Sequence, residues 1–345
     1  MQIHYERFAN KLTNRKDWKG VWEAHKKVGS TPFNVQIGID FNVEWKRGWD
    51  VETRIVEKSD RGTVSETKII TPQGTLTSKR RAGFFAGDPT LGKRTEYFIK
   101  EKKDYRIYQN YLEEWAKLAR PDISKLNNAV NELGEDGVFT VWITSIFYEI
   151  GQARGMEEYL IDFHDDPSLM REVGKTVQKF KEAHIQAFNE SLAEVFIYDV
   201  CWASTSIVSP KFFEEWVLPD LKWAVDNIEK DKYIGPYMSG KMKKLLPMMV
   251  EARPDFIQTF DTVSGDVSLR EAKERYGDKI CIMGNYSPVI LAKGSLEEAK
   301  KETIRCLEEG AEEGGYILGT GDEVPADAKL ENMKVMVQTA EEWGK

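Results

Sequence analysis

Histidine and cysteine are scarce in this chain, at four and three residues in 345. The histidines His4, His25, His164 and His184 fall at no expected strand end, and no His/Cys grouping has zinc-ligand spacing. A zinc site of that kind is therefore not expected, and a catalytic metal of unknown identity would need carboxylates as its main ligands. Cys201, Cys281 and Cys306 lie far apart, without CxxC spacing, in apolar or helical surroundings. They read as buried, reduced thiols, which suits a reducing cytosol. Long apolar runs are missing, and the opening MQIHYERFANKLTNRKDWKG has no apolar core, so neither a membrane span nor a signal peptide is expected. A cytoplasmic protein follows.

Basic stretches are equally short. The longest is Lys79-Arg80-Arg81, against a net charge of −8 and a pI near 5.4. Nucleic acid and anionic membrane are poor partners for such a surface. Gly319-Thr-Gly321 is followed by neither a third glycine nor a lysine, which speaks against a nicotinamide or ATP enzyme. No repeat, low-complexity tract or linker divides the chain, so residues 1–345 read as one domain.

What is present is a rhythm. Strand-like apolar runs at Val138–Ile143, Val195–Asp199, Tyr233–Tyr237, Phe256–Asp261, Ile280–Met283 and Tyr316–Gly319 alternate with helix patterns. The helices are expected over Ser168–Glu190, Pro210–Glu229, Lys241–Ala252, Ser268–Tyr276, Leu296–Glu313 and Ala328–Glu342. Ser209-Pro210 and Asp166-Pro167 combine an N-cap residue with proline in the first turn. Such alternation implies a parallel sheet covered by helices, and a (β/α)₈ TIM barrel fits it better than an open sheet, though spacing alone leaves both in play. Residues 1–70 are less regular and read as an N-terminal elaboration over the barrel mouth. Within it Thr53–Ser59 and Thr67–Thr71 look like antiparallel strands around a turn.

In such a barrel the reacting groups gather where the strands end. Here those ends read Asp199-Val-Cys201-Trp202, Tyr237-Met-Ser239, Phe260-Asp261, Asn285-Tyr286 and Asp322-Glu323. The candidates for polar work are Asp199, Tyr237, Asp261 and Asp322. For substrate binding they are Trp142, Phe147, Trp202, Ser239, Phe260, Asn285 and Tyr286. An Asp after a strand often merely caps the next helix, and each ring serves equally well as barrel packing. The convergence says more than any member.

Several segments resemble the uroporphyrinogen decarboxylase-like superfamily. They are Thr71-Pro-Gln-Gly-Thr-Leu76, Asp165-Asp-Pro-Ser-Leu169, Ser209-Pro-Lys-Phe-Phe-Glu-Glu-Trp-Val-Leu-Pro219, Met283-Gly-Asn-Tyr-Ser-Pro288, Gly315 to Pro325, and Leu330-Glu-Asn-Met333. The resemblance implies a TIM barrel, and that superfamily holds both decarboxylases and corrinoid-dependent methyltransferases. Decarboxylases carry an Arg-x-x-x-Gly-Arg clamp near the N-terminus, whereas the first 50 residues here hold only Arg7, Arg15 and Arg47. Thiol-methylating relatives bind zinc through His-x-Cys and a later Cys. At the corresponding places stand Tyr237, Ser239 and Asp322. The remaining branch passes a methyl group to a corrinoid (cobalamin) on a partner protein. The O-demethylase members acting on methoxylated aromatics resemble the Thr320-Gly-Asp-Glu-Val-Pro325 run most. A phenolate leaving group, whose conjugate acid has a pKa of about 10, has to be protonated or bound to a Lewis acid, for which an Asp with a raised pKa, a Tyr or a carboxylate-held metal at the rim would serve. The alternatives are another methyl donor, such as a methylamine, halomethane or other ether, or a decarboxylase-type lyase. Pairing with a second copy of the chain is compatible with either.

Overall fold

The structure, a computed structural model, describes residues 8–33, 35–60, 62–83 and 92–344. His4 and Arg7 lie outside these. Two compact units are formed, one from 1–38, 124–145 and 188–345, the other from 39–123 and 146–187.

Strand β1 (Val35–Gln36) belongs to the first unit. The second unit holds β2 (Asp40–Asn42), β3 (Asp50–Ser59), β4 (Gly62–Thr71), β5 (Gly74–Ala82), β6 (Gly92–Glu96) and β7 (Arg120–Asp122). The first unit resumes with β8 (Phe139–Thr144), β9 (Val195–Asp199), β10 (Tyr233–Tyr237), β11 (Phe256–Phe260), β12 (Cys281–Tyr286) and β13 (Tyr316–Thr320).

In the first unit the ladder order is β1-β8-β9-β10-β11-β12-β13, every pair parallel. This is a TIM-barrel-like sheet of seven described strands, where eight in a closed ring were expected. The expected strands are all found. β9 and β10 have the expected bounds, and β12 runs three residues further, to Tyr286. The expected elaboration over residues 1–70 is not wholly separate from the sheet, since β1 pairs with β8. Two residues are too few to show a period.

Strand alternation decides which side chains enter the barrel. Val195 and Ile197 of β9 join Phe256 in the inner core, with Trp142, Tyr237 and Cys281 packed against them. Phe196 and Tyr198 face the other way. Phe196 lies against Phe188, and Tyr198 Oη donates to Asp220 on the helix Leu218–Asp226 at 2.6 Å. Asp199, next in the alternation, therefore turns inward where β9 ends. Gly235 of β10 admits the Phe256 ring, since a Cβ there would lie 2.3 Å from it.

Two expected helices are interrupted. Pro210–Glu229 loosens into a wider turn over Phe213–Val217 before Pro219, whose nitrogen cannot donate to the preceding turn. Lys241–Ala252 is helical only over Leu246–Glu251, because Asp266 accepts from the Met242 and Lys243 amides and holds that stretch as a loop.

The second unit carries the antiparallel sheet β3-β4-β5-β6. It extends to Glu96, beyond the expected limit of residue 70. The Pro72-Gln73 turn is fixed by Thr71, whose hydroxyl donates to the Gly74 carbonyl at 2.9 Å. Among the described residues no helix is long and apolar enough to cross a membrane.

Candidate functional site

Parallel strands deliver their C-terminal ends to one edge of a sheet, so β8, β9, β10 and β13 bring their last residues together. Tyr237, at the end of β10, donates through Oη to Asp322 Oδ1 at 3.0 Å. Ser239 Oγ reaches Asp322 Oδ2 at 3.5 Å, and the Glu323 amide donates to Oδ1 at 2.8 Å. One carboxylate from the loop after β13 thus gathers donors from the segment around β10 and from its own loop. Asp199 accepts from the Cys201 amide at 2.9 Å and so sets the turn after β9. The Tyr237 ring lies 5.0 Å from Trp142, at 56° to it, and the Trp142 indole donates to Thr140 Oγ1 at 3.2 Å.

The local potential is negative. Burial pushes the Tyr237 phenol well above its ordinary pKa, and Asp322, Glu323, Cys201 and Asp199 add to that. Burial likewise raises the Cys201 thiol, reinforced by Asp199, Asp322 and Glu323. Both groups stay protonated at neutral pH. A groove of about 300 Å³ opens beside Asp322 and Glu323, and Lys293 on its wall is paired with Asp327.

The side chains of the other candidates are engaged by other partners. Asp261 is buried, and its carboxylate accepts from the Val263 and Ser264 amides at 2.7 and 3.1 Å and from the Ser264 hydroxyl. It builds its own turn. Asn285 Oδ1 accepts from Arg305 at 3.1 Å, and Tyr286 Oη donates to the Ala299 carbonyl at 3.3 Å. Both side chains thus engage the helix Leu296–Gly310. Phe260 is buried, and Trp202 is half-buried in the Cys201–Ala203 turn. Phe147 lies in the second unit, against Tyr159 and Phe163.

Two members of the site were not among the candidates. Cys201 is close enough to Asp199, Asp322 and Glu323 for all three to raise its thiol pKa. Gln258 of β11 is level with Tyr237 across the ladder, fully buried, and neither amide atom has a hydrogen-bond partner. A long polar side chain in the short strand Phe256–Phe260 is the signal the sequence holds. Thr259 follows it at φ 62°, a position costly for a β-branched residue, beside a break in register between Gln258 and Phe260.

No three His, Cys, Asp or Glu side chains among the described residues are arranged to hold a metal ion. His25 is buried against Ser30, His164 is exposed, and His184 sits in an aromatic cluster of the second unit. Tyr237 and Ser239, at positions where the resemblance implied soft zinc ligands in thiol-methylating members, both bond to Asp322. They are hard, oxygen-bearing groups, and zinc thiolate chemistry does not fit them.

Fold and site together define an enzyme-like, TIM-barrel-like parallel sheet with polar groups at the strand ends. The uroporphyrinogen decarboxylase (URO-D) family matches residues 137–343, more than half of the chain, and the chain belongs to that family. It is 30% identical over 144 residues to the uroporphyrinogen decarboxylase of Trichodesmium erythraeum (strain IMS101), covering 41% of this chain and 38% of that protein. Against uroporphyrinogen decarboxylase 2, chloroplastic, of Oryza sativa subsp. japonica the identity is 27% over 245 residues, 66% of this chain and 58% of the relative. The chain therefore spans less than two thirds of the length of these relatives. A solved methyltransferase from Methanosarcina mazei superposes with a TM-score of 0.66 at 13% identity, covering 100% of this chain and 93% of the other.

Proposed function

We propose that this protein moves a methyl group from a methoxylated aromatic compound to the Co(I) corrinoid of a partner protein. The observation that carries the reading is the Tyr237–Asp322 pair: a phenol O–H kept protonated, next to the Trp142 wall, at an acidic strand-end rim. The likeness of fold to a protein named methyltransferase supports the same kind of reaction. A porphyrinogen decarboxylase has to gather several substrate carboxylates and needs converging cations. Here Arg15 is held by Asp17 and Glu23, Arg47 is exposed, and the rim itself is negative.

Reduced cobalt supplies the nucleophile when the partner docks. The described rim offers no activated one, since burial and Asp199 hold the Cys201 thiol protonated and Ser239 is bonded to Asp322. Trp142 and Tyr237 present ring faces against which an aromatic substrate can lie. As the methyl–oxygen bond breaks, its electron pair stays on the aryl oxygen. The Tyr237 hydroxyl, released from Asp322, donates a hydrogen bond to that developing charge. Asp322 keeps the Ser239 hydroxyl and the Glu323 amide as donors meanwhile. Because the Tyr237 pKa is raised, the phenol stabilises by hydrogen bonding and keeps its proton. The released product takes its proton from water.

The test is incubation with a Co(I) corrinoid protein and a panel of methoxylated aromatics, following loss of the Co(I) absorbance and appearance of the phenol. Phenol release dependent on both components is the expected result. A panel that leaves the Co(I) spectrum unchanged, with a corrinoid protein competent towards other methyl donors, overturns the reading.

A further inference from the structure

The rim joins three features. Asp199, Asp322 and Glu323 act together on Tyr237 and Cys201. Trp142 and Tyr237 present aromatic faces, whose negative quadrupoles attract cations and repel anions. Lys293, the cation lining the groove beside Asp322, is engaged by Asp327. Level with Tyr237 across the ladder, Gln258 holds a buried carboxamide with both polar atoms unpartnered among the described residues, on the strand face shared with Phe256. A buried amide of this kind costs stability unless something meets it. It is neutral, and it both donates and accepts.

We propose that the site sorts methyl donors by charge, taking methoxyarenes whose ring substituent is neutral or cationic and rejecting those that carry a carboxylate, with the Gln258 carboxamide meeting a neutral polar substituent. This rests on the methoxyarene reading and narrows it. The rejection works by repulsion: an added carboxylate would meet Asp199, Asp322 and Glu323 in a partly dry site, where like charges are poorly screened. A neutral amide or hydroxyl suffers no such repulsion and satisfies Gln258. A cation gains from the carboxylates and the ring faces but leaves Gln258 unsatisfied.

Three ligands of matched shape test this at pH 7: 4-methoxybenzoate, 4-methoxybenzamide and 4-methoxybenzylamine. Binding to the whole protein, without corrinoid protein, is followed by calorimetry. The amide and the amine are expected to bind at least about ten-fold more tightly than the benzoate. Glu323→Gln and Asp199→Asn should each narrow that gap, as should added salt. Gln258→Leu should weaken the amide about ten-fold, spare the amine, and leave the thermal midpoint unchanged or raised, because an unpartnered polar group has been removed. A purely structural Gln258 would instead lower the midpoint and weaken all three ligands alike. Equal binding of benzoate and benzamide, or a gap untouched by both carboxylate variants, overturns the proposal. Methyl transfer from these ethers without charge preference overturns it alone. Charge preference without transfer from any ether supports the charge rule and overturns the methoxyarene reading. No binding of any of the three overturns both.

Discussion

Tyr198 and Asp220 are joined by a 2.6 Å hydrogen bond on the outer face of β9, and that bond helps keep Asp199, the next residue, turned into the barrel. Both groups are buried. Tyr198→Phe leaves the Asp220 carboxylate one donor short, at a cost of about 1–3 kcal/mol. Denaturant unfolding should register this as a lower midpoint with an unchanged slope. Methyl transfer should fall less than in variants of the rim itself, because the Asp199 side chain survives.

At the rim, Tyr237→Phe removes a hydroxyl and keeps the ring that faces Trp142. If the hydroxyl stabilises the departing aryl oxide, kcat should fall by about 10²-fold while arene affinity changes little. Asp322→Asn is expected to act on the same step, since it alters the acceptor that holds the hydroxyl at rest. Steady-state kinetics with a phenyl methyl ether distinguish the two variants from wild type. Unchanged rates in both would remove this rim from the chemistry.

That Tyr237 and Ser239 lie beside Asp322 follows from the ends of parallel strands sharing one edge. The short apolar runs Val195–Asp199 and Tyr233–Tyr237 gave those ends to the residue. Asp261 shows where such reading stops. Like Asp199, which accepts from the Cys201 amide, it is engaged by its own turn, where the Val263 and Ser264 amides converge on its carboxylate. Asn285 and Tyr286 were drawn away by Arg305 and Ala299, tertiary partners 20 and 13 residues distant. Gln258 was visible as a polar residue in an apolar strand, but its lack of a partner shows only in three dimensions.

Gly235 and Phe256 make a steric prediction. A methyl group at position 235 would stand 2.3 Å from the Phe256 ring, in the inner core beside Val195 and Ile197. Gly235→Ala should therefore cost about 1–3 kcal/mol through overpacking. Adding Phe256→Leu should recover part of that loss, so the double variant is more stable than the sum of the single effects allows. Additive losses in thermal or denaturant unfolding would show that the two positions do not compete for the same space.

The second unit carries its own pH dependence. His184 is enclosed by Phe41, Trp115 and Phe180, with ring centroids 4.6, 5.2 and 4.7 Å away, and Nδ1 donates to the Phe180 carbonyl at 3.0 Å. Burial, with the nearby Lys181 charge, lowers its pKa from 6.5 to about 4. The unfolded chain therefore binds a proton more readily than the folded one between those values. The neutral imidazole contributes stability in full above pH 6.5, and that contribution is lost progressively as the pH falls towards 4, by roughly 3 kcal/mol at most. Unfolding free energies measured from pH 7.5 down to pH 4.5 should show this decline in wild type. In His184→Phe, where a ring of similar shape cannot take a proton, the slope should be shallower over the same interval. Equal slopes in the two proteins would mean that His184 titrates normally, and that the aromatic cluster admits water.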